Sequence, residues 1–246
     1  MKEALQTPEA EQWQEAYEAE LEAIEKHGVW KEVPLSEPQN VNRILLNTGA
    51  VLKTKRNPDH TIERHKVRLV VKGYAQRYGE DYNEVFSAVA QLKSFRILLA
   101  LSVIFGLDVS MIDISNAFLH GDLKETIYVK HPEGYQQTPG TCLKLLKSIY
   151  GLKQSPMVFA EKLLSVLFTL GFKSNRADVC VLYRTSPLCL ICITVDDLGI
   201  FCKTKEFRTK ILQTLQANFD VKDLGPLTRY VGLEVVFGNS NCFVHH

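Results

Sequence analysis

Residues 189–203 read CLICITVDDLGIFCK. Apart from Asp196, Asp197 and the closing Lys203, every position is apolar, small or threonine. A stretch of this kind belongs inside a sheet, yet two carboxylates stand side by side at its middle. Burying two like charges together is costly unless a cation neutralises them. The run 188–202 is also too long for one ordinary strand, which averages about five or six residues. A hairpin turning near Asp196-Asp197 resolves both difficulties, because aspartate favours turns and the carboxylates then stand at a tip.

The flanking chain supplies a sheet for that hairpin. LDVSMIDI (107–114) has strand composition, and KSFRILLALSVIFG (93–106) is a helix ending at Gly106. Ser155-Pro156 caps a helix burying Phe159, Leu163, Val166, Leu167 and Leu170. VCVLYR (179–184) is a strand, ILQTLQANF (211–219) is helical and LTRYVGLEVVF (227–237) is extended. From residue 107 the order is strand, helix, strand, strand, helix, strand, the split βαβ arrangement. Further upstream, Thr7-Pro8 opens a helix with Trp13, Tyr17, Leu21 and Ile24 on one face and Gly28 at its end. Residues 41–56 and 62–73 form two strands joined by the turn NPDH.

A third acid can join the pair. Asp113 ends its strand in the same expected sheet, and three carboxylates at one sheet edge can hold two divalent cations about 3.5–4 Å apart. Each acid taken alone reads equally well as an ordinary turn or strand-end residue. Residues 53–77 hold Lys53, Lys55, Arg56, Arg64, Lys66, Arg68, Lys72 and Arg77 against Asp59 and Glu63. Such a stretch suits phosphate, although by itself it also describes a solvated face. The net charge of +1 conceals this asymmetry, because ten glutamates crowd residues 1–37. The six cysteines form no framework. Cys189 and Cys192 make a CxxC without a second pair at zinc spacing, so they read as thiols in a reducing compartment. No apolar run approaches the roughly 20 residues of a membrane span. The acidic N-terminal stretch offers no signal core. An intracellular, cytoplasmic location without membrane contact is expected.

The longer motifs carry a resemblance. ERHKVRLVVKGYAQRYGEDYNEVFSAVAQ, MIDISNAFLHGDLKETIYVKHPEGY, LKLLKSIYGLKQSPMVFAEKL, VDDL and LGPLTRYVGLEV occur in the order found in the reverse transcriptase domain of copia-type LTR retrotransposons. The chain resembles that family from about residue 4 to residue 237. The resemblance implies an α+β fingers–palm polymerase fold with a ferredoxin-like split βαβ palm. The implied segments are an N-terminal helix and connector (1–40), a fingers-like region (41–106), a palm with primer-grip-like strands (107–237) and a tail (238–246). It implies RNA-directed DNA polymerisation, in which deoxynucleotides are added to a primer 3′-OH with two Mg2+ or Mn2+ ions. The implied partners are an RNA or DNA template with its primer, deoxynucleoside triphosphates and other parts of a Pol polyprotein.

Carried over by position, Asp113, Asp196 and Asp197 are the catalytic, metal-binding acids, with the Ile114 carbonyl beside them. Arg68 and Lys66 match the cations on the triphosphate, and Phe118 matches the ring that rejects a ribose 2′-OH. Gly151, Lys153, Gln154 and Pro156 match the loop near nucleotide and template. Lys222 matches a proton donor to pyrophosphate, and Val231 and Gly232 match the primer grip. Phe118 also suits core packing, and Lys222 an ordinary surface. The resemblance departs at Thr194, where the family usually has Tyr, and at Met157 and Phe159, where Arg and Trp are common. RILLNTGAVLKTKRN lacks the Trp of the first finger strand. The family domain continues into a thumb and an RNase H, so a polyprotein fragment without a thumb is expected. The alternative is a catalytically decayed remnant that keeps the fold and at most binds nucleic acid.

Overall fold

The structure is a computed structural model that describes residues 1, 3–57, 59–238 and 241–245. It divides into two compact units, one made of residues 1–85 with 118–159 and the other of 86–117 with 160–246.

In the first unit, helix Ala10–His27 buries Trp13, Tyr17, Glu20 and Ile24, a spacing that repeats one helical face. Gly28 ends it at φ +60, returning its N–H to the carbonyls of Ile24 and Glu25. The buried face packs on strand Ile62–Val71. Val67, Leu69 and Val71 point into this core with Trp13, Tyr17 and Ile24. That strand pairs antiparallel with Thr48–Arg56 as a two-stranded ribbon. Pro58 of the expected NPDH turn lies outside the described residues. A four-stranded sheet completes the unit in the order Trp30–Pro34, Thr141–Leu145, Tyr128–Val129, Leu45–Leu46.

The second unit is built on six strands. Their order is Val221–Pro226, Asp108–Ile114, Asp197–Cys202, Leu188–Thr194, Val181–Thr185, Lys173–Ser174. Helix Ser155–Thr169, whose residues from Ala160 on belong here, separates Asp108–Ile114 from Leu188–Thr194 in sequence. Helix Lys205–Gln216 likewise separates Asp197–Cys202 from Val221–Pro226. Each pair is parallel with one antiparallel strand inserted between its members, which is the split βαβ order. One face of the sheet carries Cys192, Phe201 and Leu190, packed against Phe95, Leu98 and Leu99 of helix Leu92–Phe105 and against Tyr230, Leu233 and Val235. The other face carries Ile112, Ile114, Ile191, Ile193, Leu198 and Ile200, none more than 1% exposed. Helix Lys205–Gln216 packs on the strands Asp197–Cys202 and Val221–Pro226 through Phe207, Ile211 and Leu215.

Several local expectations are corrected. The first long helix starts at Ala10, because Thr7 Oγ1 donates to the Ala4 carbonyl (2.8 Å) and closes a 3-10 turn instead of capping. Ser155 is itself the first residue of its helix, and its Oγ donates to the Ile149 carbonyl (2.6 Å). The helix expected over 211–219 begins six residues earlier, where Thr204 accepts from the Phe207 N–H. LTRYVGLEVVF is not one strand but a hairpin, Arg229–Tyr230 against Leu233–Phe237. The strand beside Asp108–Ile114 is instead Val221–Pro226. Its Gly, its Pro and a register shift at Asp223/Gly225 hide the period of two that marks a strand.

Candidate active site

The two strands of the VDD hairpin are Leu188–Thr194 and Asp197–Cys202. The turn is Val195-Asp196, so Asp196 stands at the tip while Asp197 opens the return strand opposite Thr194. Val195 takes φ +55, a left-handed conformation that costs a β-branched residue about 1–3 kcal/mol. Three backbone bonds hold it there. Val195 N–H donates to the Ala88 carbonyl (2.7 Å), Ala90 N–H to Ile193 (2.9 Å) and Ile114 N–H to Asp196 (2.9 Å). The last bond ties the tip to the end of the Asp113 strand.

Strand register does the rest. Asp197 pairs directly with Asp113, and Asp113 pairs on its other side with Lys222. Opposed residues of antiparallel strands share a face, with Cβ atoms about 4.5–5.5 Å apart. Thr194, Asp197, Asp113 and Lys222 therefore form one row across four strands, just beyond the apolar cluster on that face. Asp113 accepts from Ser115 Oγ (3.1 Å). Burial first, then the charges of Asp196 and Asp113, push the Asp197 carboxyl up to about 6. Lys222 is exposed. The donor set is all oxygen, and burial, with the crowding of the other two acids, leaves one member holding its proton toward neutral pH. Both features fit a hard divalent cation.

The remaining predicted residues of the site lie in the first unit, apart from Val231 and Gly232. On the ribbon, Arg64, Lys66 and Arg68 alternate with the core positions and face the cross-strand partners Lys55, Lys53 and Val51. Burial, then Arg68 and Arg64, pull the Lys66 ammonium below the ordinary lysine range. The Arg68 guanidinium lies 4.7 Å over the Tyr150 ring. Its Nε is buried without a hydrogen-bond partner among the described residues. Phe118 is half-buried, with its ring 4.8 Å from Tyr150 and 6.4 Å from Phe159. Gly151 takes φ +92, and a Cβ there would lie 2.1 Å from the Val71 carbonyl oxygen, so only glycine fits. Gln154 is fully buried, donating to the Asp81 carbonyl (2.8 Å) and accepting from Gln76 (2.9 Å). Its amide is thus committed inside the loop. Lys153 stacks over Tyr82 (4.6 Å), and Pro156 sits in the first turn of helix Ser155–Thr169.

Val231 and Gly232 are the two-residue turn between Arg229–Tyr230 and Leu233–Phe237, at φ +48 and +80. Positive φ at both central positions matches the right-handed twist of the flanking strands. Sequence reasoning missed two tyrosines. Tyr150, which carries Arg68 and Phe118, had only its place beside Gly151 to mark it. Tyr230 is 2% exposed, and burial pushes its phenol far above the ordinary range.

Comparison with known proteins bears on the whole chain. A protein-family model described as reverse transcriptase (RNA-dependent DNA polymerase) matches residues 28–243. The chain is 36% identical over 241 residues to the Retrovirus-related Pol polyprotein from transposon TNT 1-94 of Nicotiana tabacum, covering 96% of this chain and 18% of that one. It is 34% identical over 235 residues to the corresponding polyprotein from transposon RE1 of Arabidopsis thaliana, covering 94% and 16%. With the Transposon Ty1-DR5 Gag-Pol polyprotein of Saccharomyces cerevisiae it shares 28% over 216 residues, covering 87% and 12%. The chain thus spans less than a fifth of the length of these relatives. Among the described residues no helix is long and apolar enough to cross a membrane. The chain belongs to the reverse transcriptase family, as the domain carried by copia-type LTR retrotransposon Pol polyproteins.

Proposed function

We propose that this domain extends a nucleic-acid primer by template-directed addition of deoxynucleotides, with Asp113, Asp196 and Asp197 as the acids of the reaction centre. The observation that carries the reading is the register that sets Asp197 against Asp113, with Asp196 in the adjoining turn. In this reading the six-stranded sheet is the palm and the Thr48–Arg56/Ile62–Val71 ribbon belongs to the fingers. The Asp trio and the Ile114 carbonyl would hold a pair of Mg2+ or Mn2+ ions. Such a pair supplies activation of the attacking oxygen and charge stabilisation at the leaving oxygen.

The chain's own side chains do the remaining work. Arg68 and Lys66 neutralise the incoming triphosphate, and the partnerless Arg68 Nε supports an anion there. Phe118, held edge-on by Tyr150, excludes a ribose 2′-OH by bulk. Lys222, beside Asp113, gives a proton to the departing pyrophosphate. Lys153 and Pro156 line the template side, with Gln154 and Gly151 bracing and shaping that loop. The Val231-Gly232 turn supports the primer end, so that the 3′-OH meets the nucleotide in near-attack geometry.

The test is primer extension on an RNA template with Mg2+ or Mn2+, comparing the chain with its Asp196→Asn variant. Extension that the variant loses supports the polymerase. No extension from the parent chain, alongside salt-sensitive binding of primer–template, would identify a remnant that keeps only the binding surface.

A further inference from the structure

We infer that Tyr230 is a positioning residue for the Val195-Asp196 turn, acting through the hydroxyl of Thr194. The inference rests on the reading of the Asp trio as the reaction centre. Thr194 closes that turn, since it is the residue paired with Asp197 across the hairpin. Tyr230 Oη lies 2.8 Å from Thr194 Oγ1 and donates to the Cys192 carbonyl at 3.1 Å. A phenol has one proton, so with that proton on Cys192 the Thr194 hydroxyl is the donor to Oη. Both bonds are then accounted for, and neither group is left over.

The tyrosine is itself packed into the core. It is 2% exposed, and its ring stacks on Phe95 at 4.4 Å and 25°. Phe95 belongs to the helix reached through Ala88 and Ala90, the two residues that pin the turn by its backbone. The turn is therefore clamped twice from one packed cluster, once by backbone bonds and once by Tyr230. The next two residues, Val231 and Gly232, form a second two-residue turn, so one side chain joins the tip that bears Asp196 to the hairpin proposed to hold the primer. A left-handed valine persists only where its surroundings over-determine it. The Tyr230–Thr194 bond is the side-chain part of that determination.

The experiment compares the 246-residue chain with Tyr230→Phe, Thr194→Val and Thr194→Ser. The first readout is hydrogen exchange at the Val195 amide, which reports the turn without any metal. The second is Mn2+ affinity from water-proton relaxation, with Asp196→Asn as the control for specific binding. Tyr230→Phe and Thr194→Val should each speed Val195 exchange and weaken Mn2+ binding about tenfold, the size usual for a group that orients a ligand. Thr194→Ser should retain both properties, and the double variant should be no worse than either single one. Val195 exchange unchanged in Thr194→Val and Tyr230→Phe, with only the melting temperature lowered, would overturn the inference and leave Tyr230 a packing residue. Mn2+ binding in the parent chain that is indifferent to Asp196→Asn would instead sink the metal-site reading, and the exchange data would still decide the role of Tyr230.

Discussion

The basic ribbon and the acidic hairpin both gather like charges on one face of an antiparallel pair, but they hold them under different constraints. On the ribbon, Lys53, Lys55, Arg64, Lys66 and Arg68 ride on long stems above a two-stranded element. Such side chains can spread, keep their heads in water and tolerate the crowding. Arg68, stacked on Tyr150, and Lys66, whose ammonium burial and then Arg68 and Arg64 pull below the ordinary range, are the exceptions. The carboxylates of the Leu188–Thr194/Asp197–Cys202 hairpin have short stems, and Asp197 and Asp113 are paired within a six-stranded sheet. They cannot separate, and burial together with their repulsion appears as a raised pKa at Asp197. Flexible cations suit a phosphate whose position varies, whereas fixed carboxylates suit an ion held at one point.

The sharpest way to break this contrast is to remove one charge from the carboxylate group and one from the ribbon. Asp113→Asn should lower single-turnover primer extension by about 10³-fold, the scale of losing a preorganised charge at a reaction centre. Lys53→Ala, at an exposed ribbon position, should cost less than about threefold, and that cost should shrink as salt is added. Comparable losses in the two variants would show that the ribbon is as strictly positioned as the acids.

A second test addresses how the ribbon is rooted. Its last strand ends where Val71 N–H donates to the Tyr150 carbonyl (2.8 Å), and Gly151 passes close against Val71. Gly151→Ala must move backbone as well as strain its own φ, so destabilisation of about 3 kcal/mol is expected from the urea midpoint. Gly225 has a similar φ of +72 with nothing within 4 Å of an added Cβ. Gly225→Ala should therefore cost only about 1–2 kcal/mol, the backbone share alone. Equal costs at the two sites would mean that the close approach at Gly151 relaxes freely.

The third test separates charge from shape at Arg68. Lysine keeps the charge but cannot stack its head on Tyr150 as a guanidinium does. Arg68→Lys should raise the nucleotide KM about tenfold with little change in kcat. Full activity in that variant would mean that Arg68 works as a point charge, like its ribbon neighbours.

Much of this was legible in the sequence. The apolar run interrupted by Asp196-Asp197 required a hairpin, the period of two in IERHKVRLVV exposed a strand, and Gly28 and Gly106 marked two helix ends at positive φ. The helix start at Thr7 was misread because a hydroxyl can serve a carbonyl as readily as an amide, and composition does not say which. Strand Val221–Pro226 was hidden by its bulge and its Gly-Pro end. Register was beyond reach as well. Nothing local to Asp113 or Lys222 says that they face each other, since that follows from how four distant strands align. Tyr150 and Tyr230 act through contacts distant in sequence, and an aromatic residue at one position carries no mark of its partner.

The last expected effect concerns what the acidic hairpin costs the fold. The value of about 6 at Asp197 lies above the roughly 3.9 of an unfolded chain, so the unfolded state releases this proton first. Below about pH 4 both states keep it and there is no penalty. As the pH climbs from about 4 to 6 the unfolded state is favoured, and above 6 the whole cost is present. Allowing for solvent screening of a half-buried group, that cost is about 1–2 kcal/mol. Asp197→Asn should therefore melt with the parent chain at pH 4 and above it at pH 7.5. Adding Mn2+ at pH 7.5 should raise the parent but not the variant, because a cation relieves the same repulsion that the amide removes. Lys53, at an exposed ribbon position, should show no such pattern, since its charge stays in water. A variant no more stable than the parent at pH 7.5, or a Mn2+ effect of equal size in both, would show that the three carboxylates are not crowded in solution, and the contrast between the hairpins would fail at its electrostatic root.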